Sequence, residues 1–272
     1  MTLYLGNKAV CPTKIVTKEV VKEVVKEVAK NKFGASIDTF IGDVDENGVL
    51  KATTWTGALN FAGVKEIGHN CLYYAFYGHT GITSVGLSSL QTIGAYGLDY
   101  AFYDCTGITN IDLSSLKTIG GYGLRYAFYG CTGITSIDLS SVQTVDTSGL
   151  NYAFGSCTGI TSVDLSSLQS AGMYGLYRAF YYCTGLTSVD LSSLATVDSS
   201  CFSQAFYNCK KLTTISFPSL TSVQSNSFID AFSSCTALTE IHFRRDMQAT
   251  IEAMSYYPSK WGATNATIYF DL

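Results

Sequence analysis

The sequence is poor in charge, histidine, proline and long apolar runs. Only 14% of its 272 residues are charged, with a formal balance of −4. There is therefore no basic excess of the kind that follows nucleic-acid phosphates. No apolar stretch approaches the roughly 18 residues a membrane helix needs. Three histidines, none in a recognisable catalytic motif, are thin material for acid–base chemistry. No Cys-x-x-Cys pair is present, so a zinc knuckle is excluded. The N-terminus has no basic segment leading into a long apolar one, so no signal peptide is expected. Proline is scarce (3 residues) while glycine is frequent (25), an unusual pairing.

What the sequence does have is a core-forming composition, 47% apolar, together with 19 tyrosines and 9 cysteines. It also has a clock. The dipeptide Ala-Phe begins at Ala75, Ala101, Ala127, Ala153, Ala179, Ala205 and Ala231, each step being 26 residues. Cys105, Cys131, Cys157, Cys183, Cys209 and Cys235 keep the same step, and His79 fills that slot in the first unit. Apolar columns run in register with them, such as Leu87, Leu113, Leu139, Leu165, Leu191, Phe217 and Phe243. Within one unit, Ile137-x-Leu139 alternates as a short strand does. Gly149 to Cys157, with Leu150, Ala153 and Phe154 at i, i+3 and i+4, predicts a helical turn. A strand, a turn and a short helix cannot bury an apolar face alone; stacked copies can, and each strand then pairs with the next.

The order Cys-x-x-Ile/Leu-x-x-Ile/Val-x-Leu, with Ala-Phe-x-x-Cys further on, resembles the BspA-like (Treponema-type) leucine-rich repeat over roughly residues 58–243. The unit is slightly longer than is usual there, and Ser-Ser stands where that family commonly has Pro, so the loop after the strand is expected to differ. The resemblance implies a curved solenoid with a parallel sheet on one face, and a family made up mostly of bacterial surface and adhesion proteins. The expected fold class is therefore an α/β solenoid of about seven coils, with short helices or turns opposite the sheet.

Such a sheet should expose alternate strand residues. They form a strip of hydroxyls with a carboxylate column: Asp112 and Ser114, Asp138 and Ser140, Asp164 and Ser166, Asp190 and Ser192. Like charges one strand apart repel by about 1 kcal/mol even in water-like dielectric. The column is either a solvated copy of one structural Asp or a site for cations or sugar hydroxyls. The helical side carries tyrosine columns, among them Tyr77, Tyr103, Tyr129 and Tyr181. These either pack between coils with wet hydroxyls or form an adaptable recognition surface. The cysteine ladder is expected to be buried, reduced thiol, with Cys11 and Cys201 incidental to it. His69, Cys71 and His79 are the nearest approach to a metal cluster, and no metal or other cofactor is expected.

Residues 1–13 form an N-terminal segment. In 14–33, valine pairs spaced by four among Lys and Glu predict a helical stalk or linker, open to homo-oligomerisation through 14–32. Asp43-Val-Asp-Glu-Asn47-Gly48 matches the opening of a calcium loop, but position twelve is Thr54, so a hairpin turning at Asn47-Gly48 is the simpler reading. That hairpin belongs to an N-terminal cap over 34–57. Residues 244–272 form a C-terminal cap: a helix over 246–254 with Asp246 as N-cap, a strand over 266–270, and Trp261 packed beneath. No nucleophile, base and orienter set emerges, so no enzyme is expected.

The expected role is binding or adhesion, toward a protein or cell-surface glycan. The Leu-Tyr-Leu-Gly-Asn-Lys start, the Val-Lys-Glu stalk and the Ala-Thr-Ile-Tyr-Phe-Asp-Leu end resemble prophage-encoded tail or fibre-associated repeat proteins of gut bacteria. That resemblance implies a receptor-binding component of a virion tail. A bacterial cell-surface adhesin and a structural spacer are the alternatives.

Overall fold

Ile137 points inward between outward-facing Ser136 and Asp138, and this alternation recurs once per coil. A computed structural model describes residues 3–5, 8–10, 43–44, 50–51, 57–61, 63–224 and 226–272. The first wall of the solenoid is made of strands Gly57–Asn60, Ile82–Gly86, Asn110–Asp112, Ser136–Asp138, Ser162–Asp164, Ser188–Asp190, Thr214–Phe217 and Glu240–Phe243, closed by Thr267–Phe270. All pair parallel. Ser136 faces Ser162, Ile137 faces Val163 and Asp138 faces Asp164, so the register step is the sequence repeat itself. The ladder runs in three groups of three strands.

A second wall was not anticipated. Two-residue strands, from Glu66–Ile67 and Thr92–Ile93 to Thr196–Val197 and Ser222–Val223, form a seven-stranded parallel sheet in chain order. Each buries its second residue or turns it partly inward.

The third side is where the expected helix fails. Between Gly149 and Cys157 the backbone makes tandem turns, with positive φ at Ser148 (55°), Tyr152 (54°) and Ser156 (58°). The N–H groups of Leu150, Tyr152, Phe154 and Ser156 donate to carbonyls of the next coil at 2.6–2.9 Å. Those of Asn151, Ala153, Gly155 and Cys157 donate to the carbonyl three residues back. Alternate amides thus tie coil to coil, which an α-helix, keeping its bonds internal, cannot do. The left-handed conformation costs about 1–2 kcal/mol per non-glycine residue. The inter-coil hydrogen bonds, about 1 kcal/mol each net, and the ring stacking described below offset that cost.

The interior is a set of apolar columns. Leu113, Leu139 and Leu165 are fully buried, as are Phe102, Phe128, Phe154, Phe180 and Phe206. The phenylalanine rings stack along the axis at 5.2–5.9 Å. Each buried Phe contributes about 1.5–3 kcal/mol.

Cys201, expected to be incidental, is buried in a column of its own. Stepping back by 26 residues from it gives Gly175, Gly149, Gly123, Gly97 and then Cys71. A Cβ on Gly97 would lie 2.9 Å from Ile93 and 3.1 Å from Ile67. The residues at the corresponding offsets from Cys201 are Val197 and Ala171, both smaller than isoleucine.

Beyond Phe243 come a short 3-10 turn (Arg245–Met247), an α-helix (Gln248–Glu252) and a second 3-10 segment (Tyr257–Gly262). Asp246 does not cap the helix. It lies inside the 3-10 turn and its carboxylate accepts from Arg244 Nε at 2.9 Å. Trp261 is fully buried against Phe228, with ring centres 5.1 Å apart, and against Phe243 at 6.0 Å. Near the other end, Asp43–Val44 pairs antiparallel with Leu50–Lys51. Residues 14–32, expected to be a helical stalk, and Asn47-Gly48 lie outside the described residues.

Candidate functional site

Two faces hold the residues singled out from sequence. On the first wall, each aspartate ends its strand by accepting hydrogen bonds from the serine two residues on. Asp138 Oδ1 accepts from Ser140 N (2.9 Å) and Ser140 Oγ (2.6 Å), and Asp112 accepts from Ser114 in the same way. Asp164 accepts from Ser166 N at 2.9 Å, and Asp190 from Ser192 N at 2.8 Å. These are Asx turns, so one oxygen of each carboxylate has a local structural task. Asp138, Asp164 and Asp190 lie in register and, with Ser136, Ser162 and Ser188, line a shallow groove of about 690 Å³.

On the turn-built arm, the tyrosines form stacks. Tyr77, Tyr103 and Tyr129 lie parallel, with centroids 4.8 and 5.0 Å apart. Beside them Tyr74, Tyr100, Tyr126 and Tyr152 stack at 4.4–4.6 Å. Tyr181 does not continue the first stack. The intervening slot is Gly155, and a Cβ there would meet Tyr129 Cδ2 at 2.7 Å. Tyr181 instead stacks on Tyr207 at 5.1 Å and meets Tyr152 edge-on at 5.9 Å. Because the rings cover each other's faces, the arm offers solvent chiefly ring edges and hydroxyls. Burial, followed by the nearby Asp104, pushes the Tyr103 phenol up to about 12.

Sequence reasoning missed the ion pair set into this arm. Asp99 is fully buried and receives both arms of the Arg125 fork, at 3.0 Å from Nε and 2.7 Å from Nη2. Burial raises the Asp99 carboxyl above its ordinary value and Arg125 opposes that. The same bond holds Arg125 above its own ordinary value, so it stays charged. Arg178 occupies the slot of Tyr126 and Tyr152, with Tyr152, Tyr177 and Tyr181 around its guanidinium at 5.1–5.2 Å. The signal was legible: residues 26 apart share a column, and Asp99 and Arg125 are 26 apart.

The ladder cysteines are free and buried. Each thiol donates to the carbonyl of the phenylalanine 29 residues earlier, as Cys131 does to Phe102 at 3.1 Å. Desolvation pushes the thiols up, to about 12 for Cys105, Cys201 and Cys235. His79 is buried in the ladder slot, its Nδ1 3.0 Å from the Tyr77 carbonyl oxygen. His69 pairs with Asn70 at 2.9 Å. Among the described residues no cluster of three or more His, Cys, Asp or Glu side chains is placed to hold a metal ion.

Comparison with known proteins follows the same repeat. The chain is similar to a T. pallidum leucine-rich repeat protein, at 19% identity over 86% of this chain and 99% of that one, with a TM-score of 0.45. It is similar to internalin C2 of Listeria monocytogenes, at 18% identity over 81% and 80% (TM-score 0.37). A leucine-rich cell surface protein of Faecalibacterium prausnitzii is similar at 14% identity over 83% and 96% (TM-score 0.25). No curated protein sequence is significantly similar to the chain. The model of the BspA type leucine rich repeat region matches in six copies, across residues 65–205 and 151–262. A match of that extent, on coils whose strands pair at the step the repeat dictates, places the chain in the BspA-type leucine-rich repeat family.

Proposed function

We propose that this chain is a non-enzymatic binding protein that meets a protein or cell-surface glycan on its tyrosine-lined arm. Repeat proteins of this kind commonly mediate protein binding or adhesion, since stacked coils make an extended surface that no single coil has. The observation that carries the choice of face is the pair of tyrosine stacks. Tyrosine gives large contact area with few rotatable bonds and a hydroxyl at its tip. Here the rings are also fixed by their neighbours at 4.4–5.0 Å, so little conformational freedom is left to lose on binding. The Asp and Ser groove is the second candidate, supported by the alignment of Asp138, Asp164 and Asp190.

The finer setting is a phage tail-associated receptor-binding component, supported by the sequences at the two chain ends. A bacterial surface adhesin is the alternative setting, and a structural spacer is the alternative role.

Whole-cell and glycan-array binding by the full chain tests the face. A Tyr103→Ser, Tyr129→Ser double variant should lose binding at least ten-fold while remaining folded. Binding that survives this change but falls in Asp138→Asn, Asp164→Asn transfers the site to the groove.

A further inference from the structure

Two arginines stand in the aromatic arm, in opposite states. Arg125 lies over Tyr96, Tyr100 and Tyr122, and its fork is occupied by this chain's own Asp99. Arg178, two coils on, is framed by Tyr152, Tyr177 and Tyr181. Its Nε donates to the side-chain oxygen of Gln204. No carboxylate among the described residues pairs with it. Arg125 finds its carboxylate one coil back in its own column; for Arg178 the positions one coil back and one coil on are Tyr152 and Gln204. The next acid in that column is Asp230, a further coil beyond Gln204 and about 10 Å away at sheet spacing.

A guanidinium carries five N–H donors in one plane. At Arg178 one of them is used. The group is half-buried, so its charge is less screened than on an open surface. With Nε on Gln204, the Nη1 and Nη2 end of this unneutralised guanidinium, ringed by phenols, fits a planar anion that accepts two parallel bonds, which is a carboxylate.

We infer that Arg178, framed by Tyr152, Tyr177 and Tyr181, takes the carboxylate of an acidic sugar, of the uronic or sialic acid kind; the inference rests on the arm being the binding face. A sugar is favoured over a peptide added as a strand by the state of the backbone. Peptides that add to a repeat wall as a strand need an open edge. Along this arm the N–H groups of Tyr174, Leu176, Arg178, Phe180 and Tyr182 are each bonded to the next coil. A sugar bearing a carboxylate and hydroxyls meets the fork and the tyrosine hydroxyls from outside and needs no backbone.

The test is calorimetric binding of the full chain to tetragalacturonate and to 3′-sialyllactose, with lactose as the neutral control and hexaglutamate as the peptide control. At least one acidic sugar should bind, at least ten-fold more weakly to Arg178→Gln, and with an intermediate loss in Arg178→Lys, which keeps charge but not the fork. Thermal unfolding checks that each variant is folded; should the Gln variant fail, the Lys variant decides. Lactose or hexaglutamate binding as tightly as the acidic sugars overturns the inference. So does acidic-sugar binding that survives both substitutions, or none at all. Binding to cells that disappears in Tyr103→Ser, Tyr129→Ser but persists in Arg178→Gln removes the carboxylate site and leaves the arm as the binding face. Binding that persists in both removes both.

Discussion

The thiol of Cys157 donates to the carbonyl oxygen of Phe128 at 3.0 Å, and that carbonyl also accepts the backbone N–H of Cys131 at 3.2 Å. One carbonyl therefore joins its own coil to the next, through an amide from within and a thiol from above. Cysteine suits this slot because it is small, apolar and still a weak donor.

The ladder should be chemically silent while the protein is folded. Iodoacetamide at pH 8 is expected to leave Cys105 to Cys235 unmodified until denaturant is added, as read by intact mass. Rapid alkylation of the native chain would show that the thiols are not held as described. Stability should also fall on the alkaline side. The folded thiols titrate well above the unfolded value of about 8.5, with Cys105 and Cys235 at about 12. Their stabilising contribution is thus complete below about pH 8.5 and is lost as pH rises toward the folded values. Each fully buried thiol adds up to about 1.4 kcal/mol of loss per pH unit in that window. Denaturant midpoints measured from pH 7.5 to 10 should fall progressively, and a Cys157→Ala, Cys183→Ala variant should show a shallower slope.

Arg125→Ala should be among the more damaging substitutions on the surface arm. It strands the buried Asp99 carboxylate and removes a cation packed over Tyr122 at 4.9 Å. The loss expected from breaking a buried pair on one side is about 3–5 kcal/mol. Asp99→Asn in the same background should restore part of it, because a neutral amide is less costly to bury. Urea denaturation of the three proteins measures this, and equal stability of the single and double variants would contradict the role given to the charge.

His242 adds a pH response at the C-terminal end. Burial would lower its pKa, but hydrogen bonds to Asp271 (2.9 Å) and Glu240 (3.4 Å) outweigh this and the net direction is up. A raised folded value means extra stability that is complete below the unfolded value of about 6.5 and lost as pH rises through the folded one. Thermal midpoints should therefore be higher near pH 6 than near pH 8. His242→Asn should flatten that difference; an unchanged profile would assign it to other groups.

The clock of 26 residues made the coils, the buried columns and the strand at Ile137 legible, because a repeat that cannot close its own core must stack. The second wall was not legible, since strands of two residues are too short to show alternation. The arm was misread as helical because Leu150, Ala153 and Phe154 turn inward equally well from tandem turns. What separates the two is the destination of alternate amides, which lies in another coil. The Asp99 and Arg125 pair was visible once columns are read across coils, whereas the break in the tyrosine stack at Gly155 needed the ring positions as well.

The coil-to-coil bonding has a genetic corollary. Along the second wall each coil pairs with the next in one register, and Ser136–Asp138, Ser162–Asp164 and Ser188–Asp190 do the same on the first. Unequal recombination between the nearly repeated coding stretches would insert or excise whole coils, leaving the backbone pairing at the new junctions matched and the end pieces undisturbed. The reach of the molecule should therefore change among natural variants in quanta of one coil, about 4.8 Å each, far more readily than its girth.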